Sequence, residues 1–209
     1  MVDPYRMAHK AIRAVLGRLL ESAGRTDFGD PQSIDLFRAE LEAAVKLLAT
    51  HARIEVQFLD GLLGLHEPTQ ASHIQHQHVD LERELHSVTG GLHRIDETLG
   101  PEGDGNRDDA RDEGHTFYLA LSRFVAHYLL HIADEEEHAL PSLRRHVDDA
   151  AMLDALVRAQ ATVSPEETAR TAALIHSSIT APERVAMLAS LHDASRPLTD
   201  VMRRASGCD

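Results

Sequence analysis

The sequence predicts an all-α protein, an up-down-up-down four-helix bundle with additional short helices at its C-terminal end. Three observations predict it. Apolar residues recur three and four positions apart along four long stretches, the period of a helix with one buried face. Aromatic residues make up only 4% of the chain, Trp is absent, and Ala and Leu outnumber the β-branched residues that strands favour. Breaks rich in Gly and Pro, at Gly29-Asp30-Pro31, Glu67-Pro68 and Gly100 to Asn106, separate the stretches. The chain has 209 residues, 43% of them hydrophobic, enough for one substantial core.

Asp3-Pro4 opens the first helix, with Asp as the cap and Pro in the first turn. This helix is expected to end near Ser22, before Gly24, and its stripe is His9, Ile12, Leu16 and Leu19. Gly29-Asp30-Pro31 opens the second by the same logic. Its stripe runs Ile34, Phe37, Leu41, Ala44, Leu48, His51 and Glu55, then resumes at Phe58 and Leu62. It is expected to pass Gly61 and Gly64 and stop near His66, before Glu67-Pro68. The third helix spans about Thr69 to Leu99, with Ile74, His78, Leu81, Leu85, Val88, Leu92, Ile95 and Leu99 on one face. Gly100 to Asn106 reads as a mobile, polar loop. The fourth helix runs from about Arg111 towards His146, bent or interrupted near Pro141, with Phe117, Leu121, Phe124, Tyr128, His131 and Glu135 facing inward. Beyond Val147, Ser164-x-x-Glu167 and Thr180-x-x-Glu183 read as capping boxes of short helices. The expected organisation is therefore a bundle over 1–147 and a helical extension over 148–209 packed on it.

A formal net charge of −13 argues against nucleic acid as a partner, since a basic surface is missing. The single cysteine, Cys208, rules out an internal disulfide framework and thiolate metal sites. The N-terminus lacks a basic segment followed by an apolar run, and no apolar stretch reaches the ~18 residues of a membrane span. A cytoplasmic setting without a membrane partner is the expectation.

Histidine is the outlier, with 15 dispersed residues. His9, His51, Glu55, His78, His131 and Glu135 occupy positions in the apolar stripes where a hydrophobic residue belongs. Burying ionisable groups there is costly unless something binds them. His51-x3-Glu55 and His131-x3-Glu135 each put an imidazole and a carboxylate one turn apart on one face. Counted from their turns, His78 and His131 fall at the same height, with His9 and His51 a looser match. The six could converge in one layer and hold two metals, each with two His, joined by two bridging carboxylates. Imidazole and carboxylate without thiolate suit iron or manganese, with zinc also open.

The order His, His-x3-Glu, His, His-x3-Glu over about residues 5–146 resembles the hemerythrin-like HHE cation-binding proteins. The segment His131-Ile-Ala-Asp-Glu135-Glu136-Glu137-His138-Ala-Leu-Pro141 is especially similar to that family's last motif. The resemblance implies a non-haem di-iron site, with two oxo- or hydroxo-bridged iron ions on these six residues. It also implies a small ligand: oxygen, peroxide or nitric oxide. Two departures disfavour oxygen carriage. Ile74 stands where carriers have a further His, and the last pair is His-x3-Glu rather than His-x4-Asp. One iron then lacks a ligand or takes Glu82. His127, His73, Tyr5 and Tyr128 are further candidates, with His127 better suited to a supporting role. Glu136 and Glu137 read as exposed charge beside the site, and His66 and His146 as solvated. The alternatives are an iron or oxygen sensor acting through a protein partner, and a structural or storage bundle binding zinc or nothing. Enzymatic consumption of peroxide or nitric oxide is an open option.

Overall fold

The computed structural model describes residues 3–100 and 105–186, and the account below is confined to them. These residues form helices and turns, with no strand among them. The helices are α1 (Arg6–Arg25), α2 (Pro31–Glu55), α3 (Gly61–His66), α4 (Pro68–Leu99), α5 (Arg107–Asp134), α6 (Leu140–His146), α7 (Asp149–Gln160) and α8 (Pro165–Ser178). Residues 181–186 are also helical. Most of the predicted loop (101–104) and residues 187–209, including His192, Pro197, Gly207 and Cys208, lie outside the described residues.

Local chemistry sets most boundaries. The Asp3 carboxylate accepts from the Tyr5 and Arg6 amides at 3.2 and 3.0 Å and caps α1. Helix α1 runs past Gly24, further than predicted, and a Cβ at Gly24 would lie 3.5 Å from the Tyr118 ring. Asp30 accepts from the Ser33 amide at 3.1 Å ahead of α2. Glu67 ends α3 with its amide on the Leu63 carbonyl at 2.7 Å, and Pro68 starts α4. Gly100, at φ 71°, closes α4 in a conformation that side chains with a Cβ disfavour. Helix α5 starts at Arg107, earlier than predicted, because the Asn106 side chain accepts from the Asp108 and Asp109 amides at 3.1 and 3.3 Å. Ser164 and Glu167 form the reciprocal capping box of α8, and Glu183 accepts from the Thr180 amide at 2.9 Å.

Two wide turns interrupt otherwise continuous helices. Val56–Asp60 joins α2 to α3, and Glu135–Ala139 joins α5 to α6, both as π-helical turns. Each follows or begins with the glutamate of a His-x3-Glu pair. A π turn holds one more residue than an α turn and rotates the downstream helix face by that residue. Phe58 is buried as expected, together with Leu59 and Asp60, but in α3 the buried leucine is Leu63 rather than Leu62. Between Glu135 and His146 the buried residues are Ala139, Leu140, Ser142 and Leu143. Pro141 is the local cause of the second turn: it has no N–H, and its ring clashes with the carbonyl four residues back in an α-helix. No residue in Val56–Asp60 forces the first.

The chain divides into two compact units, and the divisions fall within α1, α2 and α4 and after α5. The first comprises Met1–Ala14, Leu47–Ser72 and Glu135–Asp209. Its buried residues include Tyr5, Ile12, Leu48, Phe58, Leu63, Leu140, Leu143 and Met152. Ala172 and Ile179 form a smaller core with Met7 and Ile175. Lys10 donates to Glu183 at 2.6 Å, fastening the stretch after α8 to α1. The second unit comprises Val15–Lys46 and His73–Asp134. Its core includes Ile34, Leu41, Leu81, Val88, Leu92, Ile95 and Leu121. Phe28, Phe37 and Phe117 meet there with ring centroids 5.4–5.9 Å apart. Gly114 lies so close to Phe28 that a Cβ would overlap the ring.

Candidate metal centre

Helix α1 contributes His9, α2 contributes His51 and Glu55, and the π turn after α5 contributes Glu135, all within the first unit. All four are buried, with His9 at 0%, Glu135 at 1% and Glu55 at 2% exposure. One donor atom from each lies within 4.8 Å of every other, a grouping that could hold a metal ion. His9 Nε2 is 3.5 Å from Glu55 Oε1 and 3.4 Å from Glu135 Oε2. His51 Nε2 is 3.0 Å from Glu55 Oε1. Close as they are, these contacts are not aligned as hydrogen bonds, and both Nε2 atoms are buried without one. Buried imidazole nitrogens and carboxylate oxygens that converge on a common point without aligned hydrogen bonds are the geometry of a ligand set. The looser height match of His9 and His51 is absorbed, since their rings meet at 5.0 Å.

His9 is held from behind. The Glu136 carboxylate can only accept, so His9 Nδ1 carries the proton and donates to Glu136 Oε1 at 2.9 Å. Arg13, one turn after His9, donates to both Glu136 oxygens at 2.8 and 3.1 Å. Burial opposes an imidazolium at His9, but Glu136, Glu55 and Glu135 together outweigh it and raise its pKa from 6.5 to about 9. Burial likewise opposes charge on Glu136, but His9 and Arg13 outweigh it and bring that carboxyl from 4.5 to about 2. The Tyr5 ring lies tilted beside His9 at 4.9 Å, and burial together with Glu135 and Glu55 pushes its phenol well up.

His78 and His131 lie in the second unit, where their rings meet edge to face at 4.7 Å. His131 is buried and His78 half-buried. His131 Nδ1 donates to Gln77 Oε1 at 2.9 Å, and Gln77 Nε2 donates to Asp134 at 3.0 Å. The Tyr128 ring lies 5.8 Å from His131. Glu82 is exposed, and Ile74 is buried at 2%. His127 pairs with Glu84 at 2.8 Å, and His73 with Asp134 at 3.0 Å, both on exposed faces.

One expectation is corrected. Glu136 is not simple exposed charge, because Arg13 and His9 both grip it. His66 and His146 are exposed as expected, but they also stack face to face at 4.9 Å, and His146 contacts Glu67 at 3.3 Å. Gln77 and Arg13 escaped the sequence reading as well. The i,i+4 spacing of His9 and Arg13 was a usable signal for Arg13. Gln77 had none, because an amide beside His78 is unremarkable on a polar helix face.

Among the described residues no helix is long and apolar enough to cross a membrane. No family model, curated protein or solved structure matches the chain.

Proposed function

We propose that this chain is a hemerythrin-like non-haem di-iron protein, built on a four-helix bundle, that binds and reacts with small oxidants. The observation that carries the reading is the buried convergence of His9, His51, Glu55 and Glu135 donor atoms within 4.8 Å. The residues fit an iron site, since two buried imidazole nitrogens lack hydrogen bonds and two buried carboxylates stand beside them. Nitrogen and oxygen donors without thiolate match iron or manganese better than a structural zinc. In this reading His9, His51, Glu55, His78, His131 and Glu135 would hold the metal, with the buried set in the first unit as its clearest part.

A pair of iron ions with an open coordination position would supply electrons and a binding point for oxygen, peroxide or nitric oxide. The protein's part is to orient and to exclude water. Glu136 fixes the tautomer that leaves His9 Nε2 as the ligand atom, and Gln77 does the same for His131. The Tyr5 ring shields the buried face of His9. Ile74 offers a buried hydrocarbon where carriers have a ligand, which supports an open position and so reaction over reversible carriage. Reaction fits the family resemblance without the carriers' extra His.

The test is stopped-flow spectroscopy of the reduced, iron-loaded protein with oxygen, peroxide and nitric oxide. Consumption of peroxide or nitric oxide is expected, with slower consumption and a more stable oxygen adduct in Ile74→His. A fully reversible oxygen adduct in the wild type, with no consumption of either other oxidant, overturns the reactive reading. A colourless protein holding only zinc overturns the di-iron reading.

A further inference from the structure

We propose that Asp134 is a positioning residue: through the Gln77 amide it keeps the proton of His131 on Nδ1 and so leaves Nε2 as the ligand atom. This rests on His131 being a metal ligand, as proposed above. All three residues lie in the second unit. Gln77 is on α4, and Asp134 is the last residue of α5, just under one turn after His131. His131 is 3% exposed, while the Asp134 side chain is 22% exposed. A carboxylate at the edge of the core thus acts on an imidazole inside it.

The amide is the link because its two ends differ. Gln77 Nε2 donates to Asp134 Oδ2 at 3.0 Å, and Gln77 Oε1 lies 2.9 Å from His131 Nδ1. Turned round, the amide would set its oxygen against a carboxylate oxygen, two acceptors in contact with no proton between them. Its NH2 group would then face His131 Nδ1, and that nitrogen would have to give up its proton to accept. Asp134 disfavours this arrangement. It therefore fixes which way the amide faces, and the amide in turn fixes Nδ1 as the donor. The hydrogen bond made by one ring nitrogen decides which nitrogen is left to bind a metal.

His73 steadies the far end. It stands one turn before Gln77 on α4, and its Nε2 lies 3.0 Å from Asp134 Oδ2 and 3.1 Å from Gln77 Nε2. Either tautomer of His73 closes this triangle. A protonated Nε2 donates to Asp134, and a bare Nε2 accepts the second N–H of Gln77. Both keep the NH2 group of Gln77 on the Asp134 side and the amide oxygen on the His131 side.

The test is heteronuclear NMR of the His131 imidazole in full-length protein, metal-free and zinc-loaded, with zinc affinity measured by calorimetry. In the wild type Nδ1 should carry a proton in both forms. Asp134→Leu frees the amide to turn. It should leave a fraction of the metal-free molecules with a bare Nδ1 and weaken zinc binding about tenfold. Asp134→Asn can still present an oxygen to the amide and should restore most of the wild-type behaviour. In a Gln77→Leu background the link is gone, so Asp134→Leu should have no further effect on His131 or on zinc affinity. If Asp134→Leu does not fold, Asp134→Ser, too short to reach the amide, takes its place. A bare Nδ1 in the wild type overturns the inference, and so does an Nδ1 that stays fully protonated in Asp134→Leu. An Asp134→Leu effect that persists at full size in the Gln77→Leu background overturns it as well, since Asp134 then acts by another route. Wild-type protein that takes up neither zinc nor iron defeats the metal reading above, while the metal-free spectra still decide whether Asp134 sets the proton on His131.

Discussion

Removing the metal should lower the melting temperature, and the structure sets the scale. His9 Nε2 and His51 Nε2 are buried without hydrogen bonds. A buried polar atom left so costs roughly 1–3 kcal/mol, or roughly 2–6 kcal/mol for the two. Carboxylate oxygens 3.0–3.5 Å away already offset part of this by simple attraction. The lower half of the range, about 2–4 kcal/mol, is therefore the expected gain when a metal takes both nitrogens. For a chain of this size each kcal/mol moves the melting temperature by about 2–4 °C, which gives a drop of roughly 4–16 °C on chelation. By mass action, a gain near 4 kcal/mol needs free metal about 1,000-fold above its dissociation constant, so the chelator must hold it below that constant. The assay is calorimetric melting of loaded and chelated protein with metal content verified in each. His51→Ala, lacking one of the two nitrogens, should melt at the same temperature with and without chelator. An unchanged wild-type melting curve after verified metal removal refutes the reasoning.

Purified protein should contain about two metals per chain, one for each pair of histidines. His51→Ala and Glu135→Ala should each lose most of that content by elemental analysis, and full iron content in either sinks the ligand assignment. The raised pKa of His9, about 9 against 6.5 unfolded, stabilises the metal-free protein fully below 6.5, and that contribution is lost as the pH rises through about 9. The metal-free melting temperature should accordingly fall over that window, and the fall should shrink in Glu136→Gln. Metal must displace the same proton, so its apparent affinity should rise by about tenfold per pH unit between 6.5 and 9, and acid should release it. In urea denaturation Leu63→Ala should cost about 2–5 kcal/mol, because its side chain is buried, and half-buried Leu62→Ala clearly less. Equal costs would mean that the helix face does not shift at the Val56–Asp60 turn.

Much of the architecture was legible because it depends on local rules. A 3,4 apolar period, Asp before Pro, and capping boxes act within a few residues, so α2, α4 and α8 fall close to where they were expected. Helices α1 and α5 began or ended elsewhere for equally local reasons that were harder to rank: Gly24 is tolerated inside α1, and Asn106 outcompetes later starts for α5. The candidate ligands were legible for one reason. An ionisable residue in an apolar stripe is anomalous in any sequence, and His9, His51, Glu55 and Glu135 are all buried together.

The sequence by itself determined that the chain is helical, where most helices lie, and which side chains are out of place in the core. Periodicity and composition suffice for that, since each helix must bury one face. Only the tertiary structure decided the phase of the helix faces after Glu55 and Glu135, because a π turn leaves the composition unchanged and moves the period by one residue. It alone also decided the partners. Glu136 and Glu137 are adjacent and chemically identical in the sequence, yet only Glu136 meets His9 and Arg13. Which of two neighbouring carboxylates faces an imidazole depends on rotations accumulated over a whole turn and on a helix more than 100 residues away in the chain, and no local rule carries that information.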